Sequence, residues 1–177
     1  MYHEYAWKIV KYYLTFLPEI IIMVLWIGTQ CFLFANTFTG FKSNPTFQST
    51  NALIGSGLAL AKASAIVINF NCSVLIITMC TLSITWLRKF VLLSHIVPFE
   101  RHGQLHRLSS ISMLIFSIIH TIAHYNNFSK IPTAWHNLAL LSGPGASGHV
   151  LWITLSIVFV SSIIKVIRSK QYEVFWY

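Results

Sequence analysis

His106 and His120 stand fourteen residues apart in a stretch otherwise apolar enough to cross a membrane. Fourteen residues is close to four helical turns, so both rings point to nearly one side of a helix, about 21 Å apart along its axis. Imidazoles inside a bilayer are costly and call for a function. This spacing lets one helix offer an axial ligand to each of two haems, one above the other across a bilayer. It is far too wide for both rings to clamp one iron. The bland reading is that the rings hydrogen-bond to other spans and hold a bundle together. Spacing alone leaves the two readings about even.

His106, Ser110, Met113, Ser117, His120 and His124 form one stripe in steps of four and three, as on a helix. His124 lies one turn past His120, about 6 Å further along. It either lines a haem pocket as a hydrogen-bond or proton donor, or sits at the interface in contact with water. Lys62 is the other charged oddity, inside a second apolar run. An ammonium there wants an anionic partner, such as a haem propionate or a reduced-oxygen anion, or else it snorkels to the interface. Arg101 and Arg107 flank His106 and read most simply as ordinary loop cations.

The elements that hold these residues are membrane spans. Of 177 residues, 55% are hydrophobic and only 9% charged, with mean hydropathy +0.66. Soluble domains carry about 25% charged residues. Four apolar stretches are long enough to span, roughly 18–38, 52–82, 105–125 and 149–167. The second exceeds one bilayer width and so is expected to tilt or project. Pro18 suits a helix start. Tyr5, Ile9, Tyr12 and Phe16 follow helical spacing with Lys8 and Lys11 between them, predicting an interfacial helix over 1–17. The fold class is therefore an all-α membrane protein with four transmembrane helices preceded by that surface helix.

Charge sets the orientation. Lys8, Lys11, Arg88, Lys89, Arg101, Arg107, Lys165, Arg168 and Lys170 fall on one side, against Lys42 and Lys130 on the other. The positive-inside rule puts both termini in the cytosol, His106 at the cytosolic end and His120 in the outer leaflet. The net charge of +8 sets topology; no basic run with interleaved aromatics points to nucleic acid. Cys31, Cys72 and Cys80 lack metal or disulfide spacing and read as buried thiols. Gly55-x-Gly57 lacks the third glycine of a dinucleotide fingerprint. Asn127-Phe128-Ser129 is a glycosylation sequon very close to the membrane. Gly143, Pro144, Gly145 and Gly148 read as an irregular outer loop, and His3, His95, His102, His136 and His149 as surface or interfacial residues.

Several runs carry a family likeness. They are Leu58-Ala59-Leu60-Ala61-Lys62-Ala63, Asn69-Phe70-Asn71-Cys72, Leu105-His106-Arg107 and His120-Thr121-Ile122-Ala123-His124. Ser161-Ser162 through Ile167-Arg168 and Tyr172-Glu173-Val174-Phe175-Trp176-Tyr177 complete the set. Over nearly the whole chain these resemble the superoxide-generating NADPH oxidase family, phagocyte heavy-chain type, in the ferric-reductase-like transmembrane superfamily. The resemblance implies a six-helix haem bundle with two b-type haems, and a C-terminal dehydrogenase that binds FAD and NADPH. Electrons would pass from cytosolic NADPH through FAD and both haems to dioxygen, giving superoxide on the outer side. It implies His106 as ligand of the inner haem, His120 as ligand of the outer, and His124 with Lys62 in the oxygen-reducing pocket. It further implies partners in membrane lipid, a small membrane subunit and cytosolic regulators, at the plasma membrane or an endomembrane.

Departures matter. Lys62 stands where the family usually has arginine and cannot make its planar bidentate contact. Thr81 falls near the place of another family arginine. The run Phe175-Trp176-Tyr177, from a fifth helix starting near 172, is followed in the family by Thr-His-His, whose helix supplies the opposite axial ligands. This leaves an incomplete transmembrane domain over 18–177, expected to be inactive alone. A ferric-chelate reductase on the same scaffold and a non-catalytic four-span isoform are the alternatives.

Overall fold

The structure is a computed structural model that describes the backbone of residues 2–91, 94, 97, 99, 102–131, 137 and 140–164, with side chains from Phe16 onward. Every regular element among the described residues is helical: α1 (Tyr2–Ser43), a 3₁₀ turn (Pro45–Phe47), α2 (Gln48–Ile54), α3 (Gly57–Met79), α4 (Thr81–Leu87), α5 (His102–Ser129) and α6 (Gly143–Ile163). Four helices are long and apolar enough to span: Phe16–Ser43, Gly57–Met79, His102–Ser129 and Gly143–Ile163. The chain forms two compact units, Met1–Asn127 and Phe128–Tyr177.

In the first unit α1 runs unbroken for 42 residues, and Pro18 lies inside it rather than at a helix start. Proline cannot donate to the carbonyl four residues back, but the bonds around that gap carry the helix through. The side chains of His3, Tyr5, Ile9 and Tyr12 lie outside the described residues.

The long second apolar run is not one tilted span. It divides into α2, α3 and α4. Gly55 takes φ 69°, ψ −143°, a conformation open essentially to glycine alone, and this separates α2 from α3. Cys80 leaves the helical region at ψ 81° and separates α3 from α4. Asn51 of α2 donates its Nδ2 to the Phe41 carbonyl at 3.1 Å, tying α2 to the last turn of α1.

α3 packs along both α1 and α5. Gly57, Ser64, Asn71 and Thr78 stand seven residues apart on α3. In antiparallel order they meet Asn127, His120, Ser112 and His106 of α5. A seven-residue repeat keeps one seam facing its partner helix. Small and hydroxyl-bearing residues let the backbones approach, which is how helices associate where lipid supplies no hydrophobic drive. The polar stripe of α5 is therefore rotated from the one the sequence suggests. Ser109, Ala123 and Asn127 are its buried residues, while Ser110 turns back onto the His106 carbonyl.

A polar knot joins three helices midway between the two histidines. Asn71, fully buried, donates Nδ2 to Gln30 Oε1 at 2.9 Å and to the Val67 carbonyl at 2.9 Å. Ser112 also donates to Gln30 Oε1. Gln30→Leu removes the acceptor that Asn71 and Ser112 share, leaving Asn71 its bonds to the Val67 carbonyl and Ser112. It is expected to lower stability by about 1–2 kcal/mol, read as a lower melting temperature in detergent. An unchanged melting temperature would show that the knot holds nothing.

The three cysteines are free thiols, and Cys31 is exposed rather than buried. An apolar run in a membrane helix faces lipid as readily as a core. Cys80, outside the spans, has its thiol pulled below the usual value by hydrogen bonds from the Ser83 hydroxyl and then its backbone N–H.

In the second unit, residues expected to form a loop instead begin α6. Ser142 caps the helix by accepting from the Gly145 N–H at 3.2 Å. Pro144 occupies the first turn, where its missing N–H costs little. His149 lies inside α6 with Nδ1 on the Gly145 carbonyl at 2.8 Å. His95, Arg101, His136, Lys165, Arg168, Lys170 and the expected fifth-helix start lie outside the described residues.

Candidate haem-ligand helix

α5 carries both histidines, and α3 grips each by the same nitrogen. His106 Nδ1 lies 3.0 Å from Thr78 Oγ1. The Thr78 hydroxyl gives its own hydrogen to the Leu75 carbonyl at 2.9 Å. With that hydrogen on Leu75, Oγ1 can accept from the ring, the arrangement that goes with a proton on Nδ1, and the Leu75 carbonyl itself also bonds to His106. His120 Nδ1 lies 2.9 Å from the Ala61 carbonyl, an acceptor only, and 3.4 Å from Ser64 Oγ. The Ser64 hydroxyl points to the Leu60 and Ala61 carbonyls, so it too can only accept from the ring.

Both rings thus have acceptors at Nδ1, which suits the Nδ1–H tautomer and turns Nε2 away from them. That is the usual state of a ligating histidine whose second nitrogen donates to an oxygen acceptor. The donor chemistry of the two residues therefore fits haem iron. Beside His106, a mostly apolar cavity of about 140 Å³ is lined by Glu19, Ile77, Thr78, Ile84, His102 and Leu105, among others. It is well below the ~300–1,000 Å³ of pockets that hold drug-sized ligands, so it is not a haem site.

The end near His120 gathers the other candidates. The His124 ring meets the His120 ring edge-to-face, centroids 4.5 Å apart. Lys62 is not buried in the bundle: it is on the exposed side of α3, with Nζ 5.9 Å from the Phe41 ring centroid. Its long stem carries the ammonium toward the end of α1. Phe41 is fixed in turn by Phe47, centroids 5.1 Å apart, and by the bond from Asn51. His102 bonds through Nδ1 to the Phe99 carbonyl at 2.8 Å, apart from these clusters.

Sequence reasoning missed Thr78, Ser64 and Gln30, and read Asn127 only as a sequon. Asn127 is only 5% exposed, and its amide lies against Gly57, where a Cβ would come within 1.8 Å of Oδ1. The sequon is therefore closed, because the amide it would offer to a glycan is packed in the α3–α5 seam. The pairing also explains Gly57, which belongs to a helix contact and not to a nucleotide loop.

Residues 65–177 match the family described as "Ferric reductase like transmembrane component", and the chain belongs to that family. Among curated proteins it is 26% identical to NADPH oxidase 1 of Mus musculus over 196 residues, covering 90% of this chain and 33% of that protein. It is 29% identical to Dual oxidase of Drosophila melanogaster over 197 residues, covering 96% and 13%. It is 27% identical to NADPH oxidase 4 of Homo sapiens over 179 residues, covering 88% and 30%. The chain spans about a third or less of the length of these relatives. Spans and family together make it an integral membrane protein, and they support a membrane electron-transfer role.

Proposed function

We propose that this chain is the transmembrane haem-holding part of a superoxide-generating NADPH oxidase. The observation that carries the reading is the matched pair, His106 and His120, both held at Nδ1 by α3. Bound haem would supply one-electron redox chemistry at each histidine. His106 and His120 offer Nε2 lone pairs from a single helix, about 21 Å apart along its axis. α3 keeps both rings from rotating. Lys62, its ammonium over Phe41, adds positive charge at the same end of the bundle as His120, and His124 stands edge-to-face against His120, where a reduced-oxygen anion would form.

In this reading residues 1–17 extend α1 on the cytosolic side as one helix with its first span, and 18–177 form the transmembrane part. The N-terminus lies in the cytosol, His106 serves the inner haem and His120 the outer. NADPH, FAD and the opposite axial ligands belong to a longer protein like the relatives, as do a small membrane subunit and cytosolic regulators.

The test uses membranes holding the product of the gene read in frame beyond Tyr177. NADPH-driven dye reduction sensitive to superoxide dismutase is expected, together with a bis-histidine b-type spectrum. Ferric-chelate reduction with no dismutase-sensitive component would overturn the oxidase reading in favour of a ferric reductase. Absence of any b-type spectrum would overturn the haem reading itself.

A further inference from the structure

At the His106 end of the first unit, α4 presents two unlike faces. Ile84 and Leu87 turn inward, where they join Met23 of α1, Ile77 of α3 and Leu105 of α5 around the half-enclosed cavity of about 140 Å³. Leu82 and Trp86 turn outward, 81% and 57% exposed. Just past the helix, Phe90 stands edge-on to Trp86, centroids 4.9 Å apart. An exposed indole with a lysine close by, here Lys89, is the composition of a membrane–water interface. The outward face of α4 thus puts this helix at the lipid boundary, with the cavity on its other side.

The cavity is apolar within and cationic at its edge. Its lining includes Phe99, whose carbonyl accepts from Arg88 Nη2 at 3.2 Å and lies 2.8 Å from His102 Nδ1. That carbonyl holds the Arg88 guanidinium at the cavity's edge. Glu19 lines the α1 wall, and its carboxylate disfavours an anion on that side. An apolar slot with a guanidinium on one wall complements an amphiphile with an anionic head and a hydrocarbon tail. Guanidinium meets phosphate oxygens through paired N–H donors. A tail that leaves the bilayer for this slot gains packing contacts rather than escape from water. The contact between Arg88 and phosphate therefore carries the selectivity.

We propose that this end of the unit holds one anionic phospholipid, with part of an acyl chain in the cavity and its phosphate on Arg88. The volume admits part of one chain and not a whole lipid. On the orientation proposed above this is the cytosolic leaflet, where phosphatidylserine supplies the charge. The site needs no haem, so it can fail while the haem reading stands, and the reverse.

The test is native mass spectrometry of the 177-residue chain, stripped of lipid in a neutral detergent and titrated with phosphatidylserine. One equivalent is expected to bind, ahead of phosphatidylcholine. Arg88→Gln is expected to weaken binding about tenfold, the loss of a charge-assisted hydrogen bond. Leu87→Trp, which fills the cavity, is expected to abolish it. Leu82→Trp, the same bulk on the outward face, is expected to leave it unchanged. Glycerol phosphate, a head without a tail, is expected not to compete. Equal binding of the two lipids, binding unmoved by Arg88→Gln or Leu87→Trp, or displacement by glycerol phosphate overturns the proposal.

A second measurement needs no variant. Phosphatidylserine with a photoreactive diazirine in its acyl chain, in nanodiscs of phosphatidylcholine, is expected to label Ile84, Leu87 or Leu105. Label confined to Leu82 and Trp86 would show that lipid only coats α4, and would overturn the cavity site. Cavity label in the 177-residue chain that vanishes in the gene product read beyond Tyr177 would give the cavity to a later segment, and would also overturn it.

Discussion

On the proposed two-haem reading, His120→Ala is expected to remove one haem and to stop transmembrane electron flow. The substitution deletes the proposed axial ligand and leaves the Ala61 carbonyl and Ser64 hydroxyl facing a gap. In haem-loaded protein the reduced-minus-oxidised b-type absorbance should fall by about half, one site of two. His106→Ala should remove the other half, with the same total effect on electron flow. The two proposed sites lie in series about 21 Å apart along the helix axis, so neither would stand in for the other. The two substitutions differ in which haem survives, and the surviving potentials tell them apart. Full haem content in both variants would show that the histidines serve packing alone.

Gly57→Ala is expected to be the most disruptive methyl in the seam. The added Cβ would stand 1.8 Å from Asn127 Oδ1 and 2.9 Å from its Cγ. Something must move. The obstacle is a short amide in a buried place, with little room to swing. Overpacking of this kind costs about 1–3 kcal/mol. The alternative is a shift of α5 along α3, and His120 lies on the same seam two turns away. Such a shift would pull its ring off the Ala61 carbonyl, so haem content should fall along with melting temperature. Asn127→Ala in the same chain clears the obstacle and should restore most of both. Measuring each single variant and the pair closes the cycle. A double variant as damaged as Gly57→Ala alone would show that the contact is not what matters.

The fold was legible where it depended on apolar length. Four spans followed from four long apolar runs, because a bilayer sets the minimum length of a helix that crosses it. Their ends were less legible. Gly55 was visible, but whether it kinked, ended or merely decorated a long span depended on its φ. The run from Gly143 to Gly148 has the composition of a loop, yet it is helix because Ser142 caps it. Asn127-Phe128-Ser129 has the form of a sequon, yet its asparagine is spent on Gly57. In each case the local residues permit two outcomes; a backbone angle, a neighbouring cap and, for Asn127, a contact with another helix choose between them.

The candidate site divides the same way. The two histidines stood out because imidazole is rare and costly in an apolar run and because fourteen residues brings both to one face. Ser64 and Thr78 carry no such signal. Serine and threonine are ordinary in membrane helices, where they commonly bond to their own backbone, as both also do here. Lys62 was conspicuous as a charge, but its place over Phe41 rests on the fold of the first unit and not on its neighbours in the chain.

What the amino-acid sequence alone determined was the interval between two ligand-like rings and the family to which its motifs belong. An interval along one helix is covalent, and no packing can change it. Which nitrogen each ring turns to its neighbour, and which to a metal, was decided only by tertiary structure. That choice depends on the register of α5 against α3, and the register is set where Gly57, Ser64, Asn71 and Thr78 let two backbones close.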